Sequence, residues 1–502
     1  MARASAARLC AVLGGLSLAL SACTTVGPDF APPPVDAPAG YAMVGDAPAP
    51  GVVLSPDVRL AGPWWQAFGS PALDEVMKLA LADSPSVAAA RAKLERYQAA
   101  EREAAGARKP LVEGTASAQR QKFNPASFGF SGAPAGSQFT EFGRARTYDV
   151  FSLGGHVSYD LDLFGGARRR EEAAAARTAQ AAHEADAAYL TLTANVAWQA
   201  VRIAGLKGEI AALQSIIADD RTLLDLARKS FALGGIPRIT VTQVEAGLAE
   251  DEALIPPLLR QYDAARRQLA LLVGKSPGAW SPPDFDLAGL TAPATTPVSL
   301  PSALARRRPD ILAAEAELHA ATANIGAALA DRYPNIRLSA NGALSAINPE
   351  DVISTDATGW TLLGGLTAPI FDGGARKART RQAEAQAREA LARYRLTVLR
   401  AFVEVSDAMA ALETDRQRTE ALTRAVSLSR ESADVTLRAA QLGARTAAEV
   451  LQARRQLDRD RRDLANAQAQ RLSDLVSLYA ASAADWGGRD VSGGANGVGP
   501  GR

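Results

Sequence analysis

The sequence has few of the residues on which catalysis and metal binding depend. Its 502 residues include 2 cysteines and 3 histidines, and the histidines stand far apart, at His156, His183 and His319. No spacing among them and the carboxylates fits a metal site. The tripeptide GKS at 274–276 resembles the end of a phosphate loop, but Leu269 stands where that motif needs a glycine. We therefore expect no catalytic residues, no metal and no cofactor, and we do not expect an enzyme.

A charge excess and long apolar segments are also missing. The 55 basic residues nearly balance the 54 acidic ones, for a net charge of +1, which argues against nucleic-acid binding. Beyond the N-terminus there is no apolar run of about 18 residues, so no membrane-spanning helix is expected, and any spanning part would have to be a β-barrel. Aromatic residues make up only 6%, while alanine and arginine are abundant. This composition is typical of long helices packed through small side chains.

The N-terminus has the pattern of an export signal. Two arginines precede an apolar run at residues 9–20, which is typical of a signal-peptide core. The sequence LSAC, ending at Cys23, resembles the bacterial lipobox, so we expect residues 1–22 to be removed and Cys23 to be lipidated. An ordinary signal peptide with a chance cysteine is the alternative. Thr24, which is not an aspartate, then indicates the outer membrane. Residues 23–62 are rich in proline and alanine and are expected to form an extended tether without core residues.

Two pairs of segments alternate apolar and polar residues with the period of a β-strand. The first pair lies at about 111–164 and the second at about 335–371. Each strand is about long enough to cross a bilayer when tilted, and the apolar positions carry no charge. The pattern therefore favours a membrane sheet. Soluble hairpins are the alternative on pattern alone.

Long segments without helix breakers occupy much of the remaining chain. Residues 375–442 contain no glycine or proline, and as one helix they would extend roughly 100 Å at about 1.5 Å per residue. Apolar residues recur every seven positions from Leu391 onward, which is typical of coiled coils. We also expect a helical stretch from Pro71 to about Arg108, and a helix break at Pro256 and Pro257.

Two nearly identical octapeptides mark an internal repeat. LFGGARRR at 163–170 and IFDGGARK at 370–377 each follow a strand and open a long helix. We expect their glycines to form the joints between strand and helix: Gly165, Gly166, Gly373 and Gly374. The helix dipole disfavours the arginines that follow. Contact with polar lipid head groups or with nearby carboxylates would offset this, and the candidate carboxylates are Asp160, Asp162 and Asp372.

The repeat organises the whole chain. The first repeat is expected at 63–273 and the second at 302–486, with a proline-rich linker at 274–301 and a disordered tail at 487–502. In each repeat an outgoing helix turns into a returning one at a glycine-containing tip. The tip glycines are Gly234, Gly235 and Gly443.

Several segments resemble those of a known protein family: CTTVGPDFAPP, PWWQAFGSPALDEVMKLAL, RRRPDILAAEAELHAATANIGAALADRYPNIRLS and both GGAR helix starts. They resemble the TolC-like outer-membrane efflux family, in particular its lipoprotein branch of the OprM/NodT type. The resemblance implies a mixed fold of α-helical coiled coil and membrane β-structure in two tandem repeats. In a homotrimer, each protomer would give four strands to a β-barrel of about twelve and its helices to a long α-helical barrel in the periplasm.

The resemblance also implies a function and partners. Members of the family are passive, gated exit ducts for small molecules such as drugs and other toxic compounds. They are anchored in outer-membrane lipid, and they work with a periplasmic adaptor and an inner-membrane pump, here of the RND type. A periplasmic coiled-coil scaffold or adhesin-like lipoprotein is the alternative; it would account for the helices and the lipid but not for the four strands.

Family members close the periplasmic end at the helix tips. By position, the resemblance implies Glu449 and Arg445 as gate residues, with Gln452 where a second acidic residue would stand. It also places Thr242 in the first tip. We expect the first tip to be one residue longer than the second. The tip glycines would form turns that dock the adaptor. Glu449 and Arg445 are also readable as solvated charges without a gating role.

Overall fold

The computed structural model describes residues 25–43, 52–55, 63–123, 146–293 and 296–482. The predictions for residues 1–22, for Cys23 and for residues 487–502 concern parts of the chain outside these ranges. The helices are α1 (Pro71–Asp83), α2 (Pro85–Gly106), α3 (Gly166–Ala232), α4 (Arg238–Leu272), α5 (Pro301–Leu304), α6 (Pro309–Ala330), α7 (Ala375–Gln441) and α8 (Ala447–Ser482). The strands are β1 (Val52–Ser55), β2 (Leu111–Phe123), β3 (Arg146–Leu161), β4 (Thr296–Ser299), β5 (Asn335–Ala346) and β6 (Thr358–Thr367). None of the helices in these ranges is long and apolar enough to cross a membrane.

The chain divides into two compact units, and each draws on both halves of the sequence. Unit 1 combines Met1–Ala31, Arg96–Thr178 and Ala316–Leu391. Unit 2 combines Pro32–Glu95, Ala179–Glu315 and Ala392–Arg502. The repeat boundaries drawn from the sequence stay predictions.

Unit 1 contains a four-stranded antiparallel sheet in the order β2-β3-β5-β6. Its register places the apolar positions of all four strands on one face, because directly paired residues point to the same side. One apolar row runs across the sheet through Val112, Val157, Ala340 and Leu362. The next row, on the opposite face, is polar: Glu113, His156, Asn341 and Thr361. The predicted strands and their alternation are confirmed, and the sheet has two faces of opposite character.

The helical stretch expected from Pro71 to about Arg108 is present, but it is divided into two helices. Helix α1 ends at Asp83, and Ser84 has an extended backbone with ψ of 124°. Pro85 then begins α2. The proline ring excludes the helical conformation from the residue before it, and this interrupts the run.

The prediction of a break at Pro256 and Pro257 is wrong, because α4 continues through both prolines. The residues on either side, Ile255 and Leu258, pack against an apolar cluster that contains Leu213 of α3. Both prolines are exposed, so the carbonyls that they leave without an intrahelical donor lie on the solvent side of the helix. Packing on one side and solvation on the other therefore preserve the helix.

The proline-rich N-terminal segment contributes to a core, contrary to the expectation of a free tether. Tyr41 is buried in unit 2, and its hydroxyl donates a 2.8 Å hydrogen bond to the carbonyl of Ser299. The Ser406 hydroxyl donates to the Tyr41 carbonyl at 2.9 Å. Strand β1 pairs in parallel with β4, within the segment expected to be a linker. The order of this region depends on partners far away in the sequence, which local composition does not reveal.

The RRRPD segment ties three helices of unit 2 together. Arg308 is buried, and its guanidinium donates to the Ala481 carbonyl at 3.0 Å and to the carboxylates of Asp310 and Glu404 at 2.8 and 2.5 Å. A planar guanidinium can hold several oxygens at once. Arg308 therefore joins the start of α6 to α7 and α8.

Candidate functional site

The two joints between strand and helix use their glycines differently. Gly165 has φ of +73°, and Gly373 and Gly374 have φ of +62° and +86°, a backbone region that favours glycine. Gly166 does not need this freedom, because it is the first residue of α3. A Cβ on Gly166 would lie 2.9 Å from the Cβ of Ala330, so its role is close packing against α6.

An aspartate caps the helix at each joint. The Asp162 carboxylate accepts hydrogen bonds from the backbone N–H groups of Ala167 and Arg168 at 2.9 and 2.8 Å. Asp372 accepts from Gly374 and Arg376 at 2.9 and 3.0 Å, and these backbone donors hold the pKa of Asp372 below its usual value. Two of the predicted carboxylates thus offset the helix N-terminus.

The third predicted carboxylate has a different partner. Asp160 pairs with Arg337 on the neighbouring strand at 2.7 Å, so its assignment to the joint arginines is wrong. A residue that binds an arginine of each joint is Asp331, directly after α6. Its carboxylate binds Arg170 of the first joint at 2.5 Å, and its backbone carbonyl accepts from Arg376 of the second. Asp331 thus links the two joints, a role that local sequence does not indicate.

The two helical tips close with the same backbone motif. At the first tip, the N–H of Gly234 donates to Phe231 O at 2.9 Å and that of Gly235 to Ser230 O at 2.8 Å. At the second tip, Gly443 and Ala444 make the equivalent bonds to Ala440 and Ala439 at 3.0 and 2.9 Å. Gly234 and Gly443 have φ of +74° and +73°. This is the Schellman arrangement, in which a left-handed residue seals the helix end.

The tips have equal length, so the expected extra residue in the first tip is wrong. The returning helix starts four residues after the glycine in each, at Arg238 and Ala447. Counting from the glycine, the first-tip position equivalent to Glu449 is therefore Thr240 and not Thr242. The Thr242 hydroxyl donates to the Arg238 carbonyl of its own helix at 3.3 Å.

Glu449 and Thr446 form a capping box at the start of α8. The Thr446 N–H donates to Glu449 Oε2 at 2.7 Å, and the Glu449 N–H donates back to Thr446 Oγ1 at 3.3 Å. Arg445 Nη1 also donates to Glu449 Oε1, at 2.7 Å. The Thr446 backbone donor, then Arg445, then the Thr446 hydroxyl lower the pKa of Glu449 to about 2. The spacing T-x-x-E is a recognised capping signal, so the sequence already contained this role of Thr446.

The structure brings three of the four predicted gate residues together. Arg445, Glu449 and Gln452 line one groove, along with Leu223 of α3 and Thr436 of α7. Thr242 is not among the residues that line it. The groove is therefore a polar, partly open site beside the second tip.

Comparison with known proteins identifies the family. A model of the family described as "Outer membrane efflux protein" matches residues 76–275 and 300–484. The chain belongs to this family.

Individual relatives agree with this membership of the efflux family. Pyoverdine export outer membrane protein OpmQ of Pseudomonas putida is 30% identical over 475 residues, which cover 94% of this chain and 96% of OpmQ. Outer membrane protein OprJ of Pseudomonas aeruginosa is 31% identical over 337 residues, covering 65% and 68% of the two chains. The solved structure of the outer-membrane channel OprN superposes with a TM-score of 0.79 at 26% identity, covering 92% of this chain and 99% of OprN. This efflux protein is thus a channel protein of the outer membrane with a TolC-like fold.

The helices of the efflux protein also carry buried carboxylates that sequence reasoning missed. Asp220 of α3 is buried, and Arg455 of α8 lies 2.9 Å from it while donating to Asp251 of α4 at 2.7 Å. Burial and the neighbouring Asp251 raise the pKa of Asp220 to about 6, against the opposing effect of Arg455. Two carboxylates and one guanidinium therefore meet where three helices pack.

A second buried carboxylate lies between α7 and α8. Asp415 is 8% exposed, and its Oδ2 has no hydrogen-bond partner within the described residues. Burial and the facing Asp474 raise the pKa of Asp415 to about 7, although Arg418 and Arg471 oppose the shift. Asp415 therefore binds its proton up to nearly neutral pH.

We predict that Asp415→Asn flattens the pH dependence of thermal stability. The folded protein keeps a proton on Asp415 up to about pH 7, whereas the unfolded chain releases it near its ordinary pKa of 3.8. The folded state binds more protons between these values, so the melting temperature should fall as the pH rises from about 4 to about 8. The variant has no proton to lose there and should be the more stable protein at the upper pH.

The measurement is helical circular dichroism during heating of the purified protein in detergent. Asp434→Asn, an exposed aspartate of the same helix, is the matched control and should retain the wild-type slope. Parallel curves for wild type and Asp415→Asn would contradict the assignment.

Proposed function

We propose that this channel protein works as a homotrimeric exit duct, with four strands per protomer in a closed β-barrel of about twelve strands and the helices in a periplasmic tunnel. The two-faced sheet carries the proposal. Strands β2 and β6 each pair on one side only among the described strands. Lipid does not tolerate open strand edges, and single-chain membrane barrels begin at about eight strands. Three copies would close the edges against one another. A coiled-coil scaffold does not account for such a sheet.

Lipidation at Cys23 and anchoring to the outer membrane are part of the same proposal. The lipobox resemblance supports them, together with the family's place in the outer membrane.

The proposal extends to a periplasmic adaptor and an inner-membrane pump of the RND type. The last residue before each tip glycine is a leucine, and Leu233 and Leu442 are 87% and 86% exposed. Ile239, beside the first tip, is also largely exposed. Apolar side chains held outward on rigid turns favour contact with another protein. The exported cargo would be small molecules such as drugs or other toxic compounds.

The gate is proposed at the second tip. Glu449 is ionised at neutral pH because its pKa is about 2. Around the axis of a trimer, three such carboxylates would attract cations and repel anions, with Arg445 and Gln452 in the same groove. Packing of the tips would supply the remaining closure.

We predict that the wild-type protein forms cation-selective pores in planar bilayers and that Glu449→Gln reduces this selectivity. Glutamine retains the capping box while removing the charge. Thr446→Ala removes the cap and retains the charge, so it should leave selectivity unchanged while destabilising the helix start by about 1 kcal/mol. The measurement is the reversal potential in a salt gradient. Absence of pores would refute the duct, and equal selectivity of wild type and Glu449→Gln would refute this gate.

Mass spectrometry tests the anchor and the assembly. We expect intact mature protein to begin at Cys23 with added acyl mass, and native spectra in detergent to give three protomers. Cys23→Ser should lose the acyl mass, whereas Cys10→Ser, within the expected signal peptide, should leave the mature mass unchanged. An acylated Cys23→Ser protein, or a stable monomer in mild detergent, would contradict the corresponding part.

We predict that the double variant Leu233→Ser, Leu442→Ser loses efflux without losing the pore. Hydroxyl groups at these positions would remove the apolar surface while leaving the backbone turns intact. The measurements are the susceptibility of cells to exported compounds and the conductance of the purified protein. Leu254→Ser, an exposed leucine of α4, is the control and should retain both. Full resistance in the double variant would exclude the tips as the docking surface.

A further inference from the structure

Residues 25–30 are packed directly against the first joint of unit 1. The Val26 N–H donates to the Phe164 carbonyl at 3.1 Å. Gly27 has φ of +94°, and a Cβ there would lie 2.4 Å from the Cα of Gly326 in α6. A Cβ on Gly165 would likewise lie 2.5 Å from the side chain of Thr25. The N-terminal segment therefore contacts the joint and α6 so closely that side chains are excluded at both glycines.

Arg169 is the side chain that holds this segment. Only 4% of it is exposed, so its charge needs compensation within the protein. Nε donates to the Val26 carbonyl at 3.2 Å, and Nη2 donates to the Gly27 carbonyl at 3.2 Å and to Asp29 Oδ1 at 2.7 Å. Nη1 donates to Glu172 at 2.8 Å. All three guanidinium nitrogens thus have partners, and two of them bind the N-terminal segment.

A second contact extends the attachment. The ring of Phe30 stacks on His319 of α6 with centroids 4.4 Å apart and planes 13° apart. His319 Nε2 lies 3.0 Å from Glu172 Oε1, and Glu172 is also the partner of Arg169. The segment is thus fixed at two points, through Arg169 and through Phe30.

The second joint lacks this arrangement. When the two GGAR sequences are aligned, Lys377 occupies the position of Arg169, and Lys377 is exposed. A Cβ on Gly373 or Gly374 would meet nothing within 4 Å. Attachment of the N-terminal segment is therefore a property of the first joint and not of the repeated motif.

We propose that Arg169 is a positioning residue for the lipidated N-terminus, holding residues 26–29 so that the acyl chains on Cys23 enter the membrane beside the first joint. The inference rests on the proposed lipidation. Two peptide units separate Cys23 from Thr25, and they span at most about 7.6 Å. Beside this point Phe164 stacks on Tyr333 with centroids 4.5 Å apart, and Tyr333 is 45% exposed. Aromatic side chains of this kind are typical of membrane interfaces. A lipid on Cys23 would therefore enter the membrane within this short distance of the first joint.

Hydrogen exchange of the full-length protein in detergent tests the attachment. In the wild type the Val26 amide should be protected, because it is bonded to Phe164. Arg169→Ala removes two backbone contacts and one charged contact with the N-terminal segment, so exchange in the peptide around Val26 should accelerate about 10- to 100-fold. Arg169→Lys keeps the charge but lacks the several N–H donors of the guanidinium, so its exchange rate should lie between those of the wild type and Arg169→Ala. Lys377→Ala, the matched position in the second joint, should leave exchange unchanged.

A second variant keeps the test valid if Arg169→Ala does not fold. Gly27→Ala adds a Cβ where Gly326 leaves no room and leaves Arg169 in place, so it should loosen the same peptide. Protection of strands β2 and β3 reports that the fold is intact. An unprotected Val26 in the wild type would overturn the proposal, as would wild-type protection in both variants.

Metabolic labelling with a photoreactive fatty acid tests the position of the lipid. In the wild type, illumination should link the acyl chain to peptides that contain Phe164 or Tyr333. Arg169→Ala should reduce these products at least several-fold and spread them over other peptides, whereas Lys377→Ala should not. Acylated protein with the same cross-links in both variants would overturn the proposal. Unacylated wild-type protein would instead refute the lipidation, and the exchange experiment would still decide the attachment.

Discussion

The pairing of β3 with β5 is the contact on which the architecture of unit 1 depends. It runs from Phe151 opposite Ala346 to Leu161 opposite Ile336, and it joins the hairpin of β2 and β3 to the hairpin of β5 and β6. Because β3 and β6 are both antiparallel to β5, the strand ends that lead into α3 and α7 lie at the same end of the sheet. It also aligns the apolar faces, since a shift by one residue would invert every side chain of a strand. The two joints, the contacts of Asp331 with both joints and the attachment of the N-terminal segment all lie at this end of the sheet.

Patterns that repeat over short distances were predictable from the sequence. The strands followed from period two, and the joint and tip glycines followed from their place between regular segments. Two of the errors arose where distant residues decide the outcome. Pro256 and Pro257 stay helical because their neighbours pack on α3, and the N-terminal segment is ordered by partners such as Ser299 and Arg169. Such contacts are set by tertiary packing, which overrides local preference.

In the helical part of the protein, too, local features were predictable from the sequence and tertiary contacts were not. The capping box at Thr446 and Glu449 could be read from four residues, because its physics is local. The raised pKa values of Asp220 and Asp415 could not be predicted, because they depend on burial and on which carboxylates of neighbouring helices face each other after packing. The family resemblance indicated the tip as the place of control. The structure adds that the same carboxylate also stabilises the start of its own helix, so charge and stability are coupled there.

The sealed helix ends have a consequence for how the tips move. Each turn is closed by backbone hydrogen bonds around a glycine with positive φ, and the two turns have the same length. Such a turn resists bending, because bending would break the backbone hydrogen bonds that close it. A tip would therefore move by sliding or rotation of its two helices, while the turn keeps its conformation. Each hairpin then acts as a lever, and a small rotation far from the tip produces a larger displacement at its end.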